Sequence, residues 1–321
     1  MAADDRAPSG TDIAGPDDVL DVLVSSSSLG DAVAELSPRV RVHAWDPNDG
    51  LPAGAATRAR IWVPGGPAPD LAGVVSALPE LRLVQLTSAG AEHVAGRLPA
   101  GVVLCNARGA HTPATAEWAV MAMLAAQRGL AGFVRDADAG RWSPRRERSL
   151  VGARVLVLGA GDIGRRIAAM LAGFDVPITF VARTARDGVR STDELPELLP
   201  DADVVVVVVP LTEQTTGLVD AGFLAAMADG ALLVNVARGG VVDTEALLAE
   251  LTRGRLRAAL DVTDPEPLTA GHPLWSAPNL LLTPHVAGAV PDADERATAA
   301  VVAQVRRVLD GRPLADVVTT Y

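Results

Sequence analysis

The chain has 321 residues, of which 49% are hydrophobic, and a formal net charge of −11. This length exceeds one average domain and allows two buried cores, while the negative charge disfavours nucleic acid and anionic membrane surfaces as partners. The single cysteine, Cys105, excludes an intramolecular disulfide and a cysteine-cluster metal site, and no metal site is predicted. With no recognisable signal peptide or membrane span, we expect a soluble cytoplasmic protein that binds a small metabolite.

The first part of the chain predicts an α/β domain. Residues 1–18 mix Asp, Gly, Pro and Ala without apolar periodicity, and they predict a flexible tail. Four short apolar segments then predict strands, at residues 21–24, 60–63, 84–87 and 102–106. The stretch 114–127 predicts a helix that is apolar around most of its circumference, more than one domain can cover, so we expect a homodimer joined there.

A second strand and helix series begins near residue 153. Its predicted strands lie at residues 154–158, 178–181, 204–209, 232–235, 258–261 and 280–283. Uninterrupted runs of Val and Leu indicate strands that are buried on both faces, as in a doubly wound parallel sheet covered by helices. Residues 292–310 predict a final helix that could return to the first domain.

The first turn of this second series has glycines in the G-x-G-x-x-G spacing, at Gly159, Gly161 and Gly164. The first glycine permits a tight turn, the second lets backbone amides approach a pyrophosphate, and the third allows a helix to pack closely on a strand. Because the motif follows an apolar strand and begins a helix, it predicts a dinucleotide site.

The end of the next strand bears on which dinucleotide is bound. Ala182 stands where NAD-specific sites place an acidic residue for the ribose 2′-hydroxyl, and Arg183, Thr184 and Arg186 follow it. Two guanidinium groups and a hydroxyl suit a 2′-phosphate. The sequence therefore predicts a preference for NADP, with NAD use possible.

Three later loops each follow a predicted strand, and they contain Arg238, Glu266 and His285. Ligands of open α/β sheets bind beyond the carboxyl ends of the strands, so we expect these loops to converge. A guanidinium to hold a carboxylate, an imidazolium to protonate an alkoxide and a carboxylate to keep the imidazole charged could together reduce a 2-oxo acid. Asp264 is an alternative to Glu266, since each precedes a proline.

Across most of its length the chain resembles the D-isomer-specific 2-hydroxyacid dehydrogenases. The matching motifs, in chain order, are SAGAE from Ser88, TAEW from Thr115, GxW from Gly140, LVGARVLVLGAGDIG, VVPLTEQT from Val208, NVARGGVVD, LDVTDPEPL, TPHVAG and DGRPLADVV. The segment FVARTAR is similar to that of the NADP-using glyoxylate and hydroxypyruvate reductases of the family.

The resemblance implies roles for particular residues. Arg238 would bind the substrate carboxylate and carbonyl, His285 would donate the proton and Glu266 would pair with it. The substrate carboxylate would also be bound at residues 88–90, which are Ser88, Ala89 and Gly90. Further cofactor contacts are implied at Thr115, Asp162, Ile163, Val209, Pro210, Thr215, Val236, Ala237, Asp261, His285 and Gly288.

The resemblance also implies the domain organisation. Residues 111–286 would form a Rossmann dinucleotide-binding domain, inserted into a flavodoxin-like substrate domain made of residues 19–110 and 287–321. Two other functions stay open. The same scaffold could act on another small anion, such as phosphite or a phosphorylated hydroxy acid, or the chain could be a non-catalytic dinucleotide-sensing protein.

Overall fold

The computed structural model describes residues 8–46, 49–66, 68 and 70–319. The chain divides into two compact units. Unit 1 contains the chain up to His111 together with the chain from Pro291 onward, and unit 2 is Thr112–Val290.

Unit 1 is built on a five-stranded parallel sheet in the order β2-β1-β3-β4-β5. Its strands are β1 Leu20–Val24, β2 Val40–Ala44, β3 Ile61–Val63, β4 Leu83–Gln85 and β5 Val103–Cys105. Its helices are α1 Ser27–Ala34, α2 Leu71–Ala77 and the late helix α9 Pro291–Leu309. Val301, Val305 and Val308 of α9 are buried in the same cluster as β1, so this last helix completes the core of the first sheet.

Unit 2 is built on a seven-stranded parallel sheet in the order β12-β11-β10-β9-β6-β7-β8. Its strands are β6 Val155–Leu158, β7 Ile178–Ala182, β8 Val189–Ser191, β9 Val204–Val207, β10 Leu232–Asn235, β11 Arg257–Leu260 and β12 Leu280–Leu282. Strand order reverses at β6, which pairs with both β7 and β9. The carboxyl ends of strands at such a reversal are where open α/β sheets bind dinucleotides.

Helices cover the sheet of unit 2. They are α3 Thr112–Gln127, α4 Leu130–Asp138, α5 Asp162–Leu171, α6 Leu195–Leu198, α7 Ala221–Ala226 and α8 Thr244–Thr252. The long helix α3 contacts α5, β10 and β11. Strands β6, β9 and β10 are buried along their whole length, as expected for a sheet with helices on both faces. The predicted fold class, two doubly wound parallel-sheet α/β domains, is confirmed.

The structure differs from the sequence prediction at the edges of both sheets. Strand β2 is an edge strand whose residues are half-buried or exposed. Its mixed composition, VRVHA, did not predict a strand, and the region was assigned to the helical stretches between strands. Strand β8 is a three-residue edge strand, and helix α4 was also not predicted. The edge strands β5 and β12 are apolar runs and were predicted, so β2 and β8 were missed because their polar residues weaken the pattern.

The predicted flexible tail also differs from the structure over residues 8–18. Ile13 and Ala14 are buried against the core of unit 1, the amide of Leu314 donates to the carbonyl of Pro8, and Gly10 packs on the backbone of Arg307. Residues 1–7 of that prediction lie outside the described residues. Among the described residues, no helix combines the length and apolar character that a membrane span requires.

Candidate active site

The three glycines of the predicted dinucleotide turn are required for different reasons. Gly159 has a φ of 122°, and a Cβ there would lie 2.8 Å from the carbonyl oxygen of Val208. A Cβ on Gly164 would lie 2.2 Å from the carbonyl oxygen of Gly159. Packing therefore demands a glycine at both positions.

Packing does not demand the middle glycine. A Cβ on Gly161 would have no neighbour within 4 Å, and its φ of −85° suits any residue. The open space lies directly before Asp162 and Ile163, the first residues of α5, where the partial positive charge of the helix N-terminus attracts anions. A glycine that the protein's own packing does not explain fits the close approach of a pyrophosphate, so this turn suits a dinucleotide.

The cationic segment predicted for a 2′-phosphate follows β7. Ala182 is the last residue of that strand, and the side chains of Arg183, Thr184 and Arg186 are exposed. The hydroxyl of Ser191 on β8 donates to the carbonyl of Arg183 at 3.4 Å. Within the part of the chain that the structure describes, neither arginine forms an ion pair, so no carboxylate competes with an anion for either guanidinium.

The structure brings His285 and Glu266 together. Nδ1 of His285 lies 2.5 Å from Oε1 of Glu266, and the two side chains are 45% and 41% exposed. Asp264, the alternative carboxylate, forms no hydrogen bond or ion pair with His285 among the described residues, and its backbone carbonyl accepts a hydrogen bond from the hydroxyl of Thr244. The expected acid and imidazole are therefore in contact, and the Nε2 atom of the ring has no partner among the described residues.

The turn that carries His285 is fixed by Asp261. Both carboxylate oxygens of Asp261, which is 2% exposed, are engaged: they accept from the Thr283 hydroxyl at 2.6 Å and from the amides of Val286 and Ala287 at 2.9 and 2.8 Å. The amide of His285 donates to the carbonyl of Asp261 at 2.7 Å. These bonds hold His285 at a φ of 56°, a left-handed conformation that is costly for a residue with a Cβ.

The carboxylate of Asp261 serves the histidine turn. It is buried and is occupied by the backbone and side chain of that turn. Asp261 is thus a positioning residue for His285. The expected contact of Asp261 with the cofactor stays a prediction.

A similar buried residue positions Arg238. Asn235, the last residue of β10, is 1% exposed. Its side-chain oxygen accepts from the amide of Ala237 at 3.0 Å, and its Nδ2 donates to the carbonyl of Arg238 at 3.0 Å. The half-buried guanidinium of Arg238 donates to the carbonyl of Ala237 at 2.7 Å. Sequence reasoning missed Asn235, although a polar residue at the end of a buried strand was a signal for it.

The loops of Arg238 and Glu266 are packed on each other. A Cβ on Gly239 would lie 1.9 Å from the carbonyl oxygen of Thr263, so only glycine allows this approach. The loop that follows β10 therefore rests on the loop that follows β11, and a cation, a carboxylate and an imidazole are held at one edge of the sheet.

Other predicted cofactor contacts also lie in unit 2. Thr115 is buried on α3, while Val236 and Ala237 are buried in the turn before Arg238. The hydroxyl of Thr215 donates to the carbonyl of Pro210 at 2.6 Å and closes the loop after β9, which begins near Val209. Gly288 lies in the turn after His285, and its carbonyl accepts from Val290.

The predicted substrate segment lies in unit 1, in the loop after β4. The Ser88 hydroxyl donates to the carbonyl of Gly90 at 3.0 Å, and Nδ2 of Asn106 donates to the carbonyl of Ala89 at 2.8 Å. Among the described residues, the amides of Ala89 and Gly90 donate to no acceptor. Two adjacent amides without a partner are suited to bind a carboxylate.

Comparisons with known proteins agree with this geometry. Residues 120–287 match the family described as D-isomer specific 2-hydroxyacid dehydrogenase, NAD binding domain. The chain is 33% identical over 253 residues to a glyoxylate reductase of Thermofilum pendens, covering 74% of this chain and 75% of that protein. It is 31% identical over 256 residues to a D-3-phosphoglycerate dehydrogenase of Archaeoglobus fulgidus, covering 76% of this chain. The chain spans only 48% of the length of that second relative.

A solved structure shows the same architecture. It is an NADPH-dependent glyoxylate/hydroxypyruvate reductase from Sinorhizobium meliloti in complex with NADP and malonate, with a TM-score of 0.79 and 28% sequence identity. The match covers 94% of this chain and 97% of that one. With the dinucleotide turn, the paired acid and imidazole and the family match all located in unit 2, the chain belongs to the D-isomer-specific 2-hydroxyacid dehydrogenase family.

Proposed function

We propose that this chain is an NADPH-preferring oxidoreductase that interconverts a small 2-oxo acid, of the glyoxylate or hydroxypyruvate type, and its D-2-hydroxy acid. The observation that carries the proposal is the 2.5 Å contact between His285 and Glu266, beside the Arg238 loop. The names of the Thermofilum pendens relative and the Sinorhizobium meliloti structure support this substrate type.

The residues divide the chemistry between them. Arg238 holds the substrate carboxylate through charge-assisted hydrogen bonds, and the resemblance adds Ser88 and the amides of Ala89 and Gly90 to that contact. His285 donates a proton from Nε2 to the carbonyl oxygen, because its Nδ1 is engaged by Glu266. The carboxylate of Glu266 contacts Nδ1 of His285 and fixes the ring's orientation. NADPH, when bound, supplies the hydride.

The cofactor preference rests on the segment after β7. Ala182 offers no carboxylate to a ribose 2′-hydroxyl, whereas Arg183, Thr184 and Arg186 offer donors to a 2′-phosphate. The glycine turn and α5 are proposed to hold the pyrophosphate. The predicted contacts with the cofactor stay predictions at Thr115, Asp162, Ile163, Val209, Pro210, Thr215, Val236, Ala237, Asp261, His285 and Gly288.

We also propose that two copies of the chain pair through α3. Its exposed stripe contains Glu117, Met121 and, just beyond the end of the helix, Arg128, and it is flanked by the half-buried Val120 and Leu124. Met121 is 46% exposed, and other large apolar side chains of unit 2 are also exposed, namely Leu130, Val134, Trp142 and Trp275. An apolar stripe with an acid at one end and a base at the other is self-complementary across a two-fold axis.

A cytoplasmic location stays a prediction.

A panel of substrates tests the proposal. Glyoxylate, hydroxypyruvate, pyruvate and phosphonooxypyruvate would each be mixed with NADPH or NADH, and loss of the reduced nicotinamide absorbance would be followed. We expect turnover with the unphosphorylated acids and a higher kcat/KM with NADPH. Oxidation of phosphite or a clear preference for the phosphorylated acid would identify another substrate on the same scaffold. Tight cofactor binding without turnover of any acid would favour a dinucleotide-sensing protein.

A further inference from the structure

The end of β7 in unit 2 gathers positive charge that the protein does not neutralise. Arg190 on the neighbouring strand β8 is committed to a carboxylate, because it pairs with Glu194. Arg183 and Arg186 form no ion pair within the described ranges, and neither does a third arginine, Arg165 of α5. In a chain with a net charge of −11, uncompensated cations in one region indicate a site for an anion.

The position of Arg165 relates it to this strand end. It lies in the first turn of α5, four residues after Gly161, whose carbonyl accepts from its amide. Its guanidinium carbon lies 5.7 Å from the centre of the Phe180 ring on β7. Phe180 is two residues before Ala182, so both side chains point to the same face of the sheet, about 7 Å apart along the strand. The cation therefore lies on the α5 side of the strand end that Arg183 follows.

The contact with Phe180 orients the guanidinium of Arg165 but adds no negative charge beside it. A carboxylate partner would neutralise Arg165 and would compete with an incoming phosphate. A ring face at an exposed site attracts a cation more weakly than a phosphate does, so the guanidinium can turn to an anion at small cost. Sequence reasoning missed Arg165, since a single arginine in a helix is usually a solvated charge.

We propose that Arg165 is a specificity residue for NADP(H), binding the ribose 2′-phosphate from the α5 side while Arg183 binds it from the strand end. The proposal rests on the cofactor preference proposed above. In this arrangement a cation lies on each of two sides of the phosphate. The segment after β7 alone provides cations on one side.

The test compares two nucleotides that differ only in the 2′-phosphate. Adenosine 2′,5′-bisphosphate and 5′-AMP would be titrated into the full chain by calorimetry, for the wild type and for Arg165→Ala, Arg165→Gln, Arg166→Ala and Arg183→Ala. Arg166 is the matched control, because it is also exposed, lacks an ion pair among the described residues and lies on another side of the same helix. We expect Arg165→Ala and Arg165→Gln to weaken the bisphosphate about tenfold and 5′-AMP less than about twofold. Arg166→Ala should change both affinities less than about twofold.

Two outcomes would overturn the proposal in different ways. Equal weakening of both nucleotides by Arg165→Ala would place the side chain near the shared 5′-phosphate. An Arg165→Ala variant that behaves as Arg166→Ala does, while Arg183→Ala selectively weakens the bisphosphate, would remove Arg165 from the site and leave the NADP preference intact. If the wild type binds both nucleotides equally and Arg183→Ala has no selective effect, the cofactor preference itself is wrong.

Discussion

At the scale of single residues, the contact between His285 and Glu266 makes a specific prediction about turnover. The carboxylate of Glu266 holds the Nδ1 side of the imidazole, so Glu266→Gln should lower kcat for 2-oxo acid reduction. Asp264→Asn is the matched control, since it removes a carboxylate from the same loop but not from the imidazole, and its kcat should stay near that of the wild type. The measurement is kcat and kcat/KM for all three proteins. A loss in Asp264→Asn without one in Glu266→Gln would reverse the assignment.

The proton donor itself gives a second prediction. His285→Gln keeps a side chain of similar size and a hydrogen-bond donor but cannot deliver a proton, and general acid catalysis contributes about 10²- to 10⁴-fold. We expect turnover to fall by that range while NADPH binding stays within about twofold, because the dinucleotide turn lies on other loops. Stopped-flow turnover and a fluorescence titration would measure the two effects. Near-native turnover would exclude His285 as the donor.

A third prediction concerns the only thiol. Burial raises the pKa of Cys105 to about 12, although a hydrogen bond with Gln304 opposes the shift. At pH 8 only about one thiol in ten thousand is then ionised, and the thiolate is the reactive form. We expect no reaction of the folded protein with a disulfide reagent during a period in which the urea-unfolded protein reacts completely. Rapid labelling of the folded protein would mean that the strand end opens.

The sequence was sufficient to locate the candidate site residues, but it was not sufficient to assign a role to each of them. The spacing of strands and loops was enough to group Arg238 and His285 with the carboxylates of the loop that follows β11, because the ends of parallel strands share an edge. It could not separate Glu266 from Asp264 without a resemblance, since both precede a proline. It also could not show that Asp261 faces inward to the histidine turn, because that depends on which way a loop folds back.

At the scale of the elements, two glycines of the turn between β6 and α5 are needed for different reasons, one for packing and one for ligand binding. In Gly164→Ala, the added Cβ would lie 2.2 Å from a backbone oxygen, so we expect the free energy of unfolding to fall by about 1–3 kcal/mol. In Gly161→Ala, the Cβ meets nothing within 4 Å, so stability should change by less than about 0.5 kcal/mol while NADPH binding weakens. Urea unfolding and a cofactor titration would measure both. Unchanged NADPH affinity in Gly161→Ala would contradict a pyrophosphate at this turn.

The strands were predictable where their sequence is a continuous apolar run. The central strands β6, β9 and β10 are such runs, and so are the edge strands β5 and β12, and all five were located from the sequence. The edge strands β2 and β8 contain polar residues, and neither was found. A strand of mixed composition depends on pairing with a neighbour, which a single sequence does not display.

At the scale of the whole molecule, only the resemblance predicted that the last helix belongs to the same unit as the first part of the chain. Helix α9 is amphipathic and packs in unit 1, whose other elements are more than 180 residues earlier in the chain. Its apolar face would suit either sheet, since hydrophobic burial has no direction. The return of the chain at Pro291 therefore follows from long-range packing and not from any local signal.

The exposed stripe of α3 gives the prediction for the assembly. Glu117 and Arg128 are 11 residues apart, about 16 Å along a helix, with Met121 between them. In an antiparallel pair of α3 helices, each Glu117 would face Arg128 of the other copy while the apolar centres pack. We expect the wild type to be a dimer at micromolar concentration, Glu117→Arg or Arg128→Glu to dissociate more readily, and the double reversal to restore the dimer, because the pairs re-form with exchanged signs. Sedimentation velocity would measure this, with Glu245→Arg on α8 as a control for charge reversal alone. A monomeric wild type would exclude the interface, and a double variant that stays monomeric would exclude the reciprocal pairs.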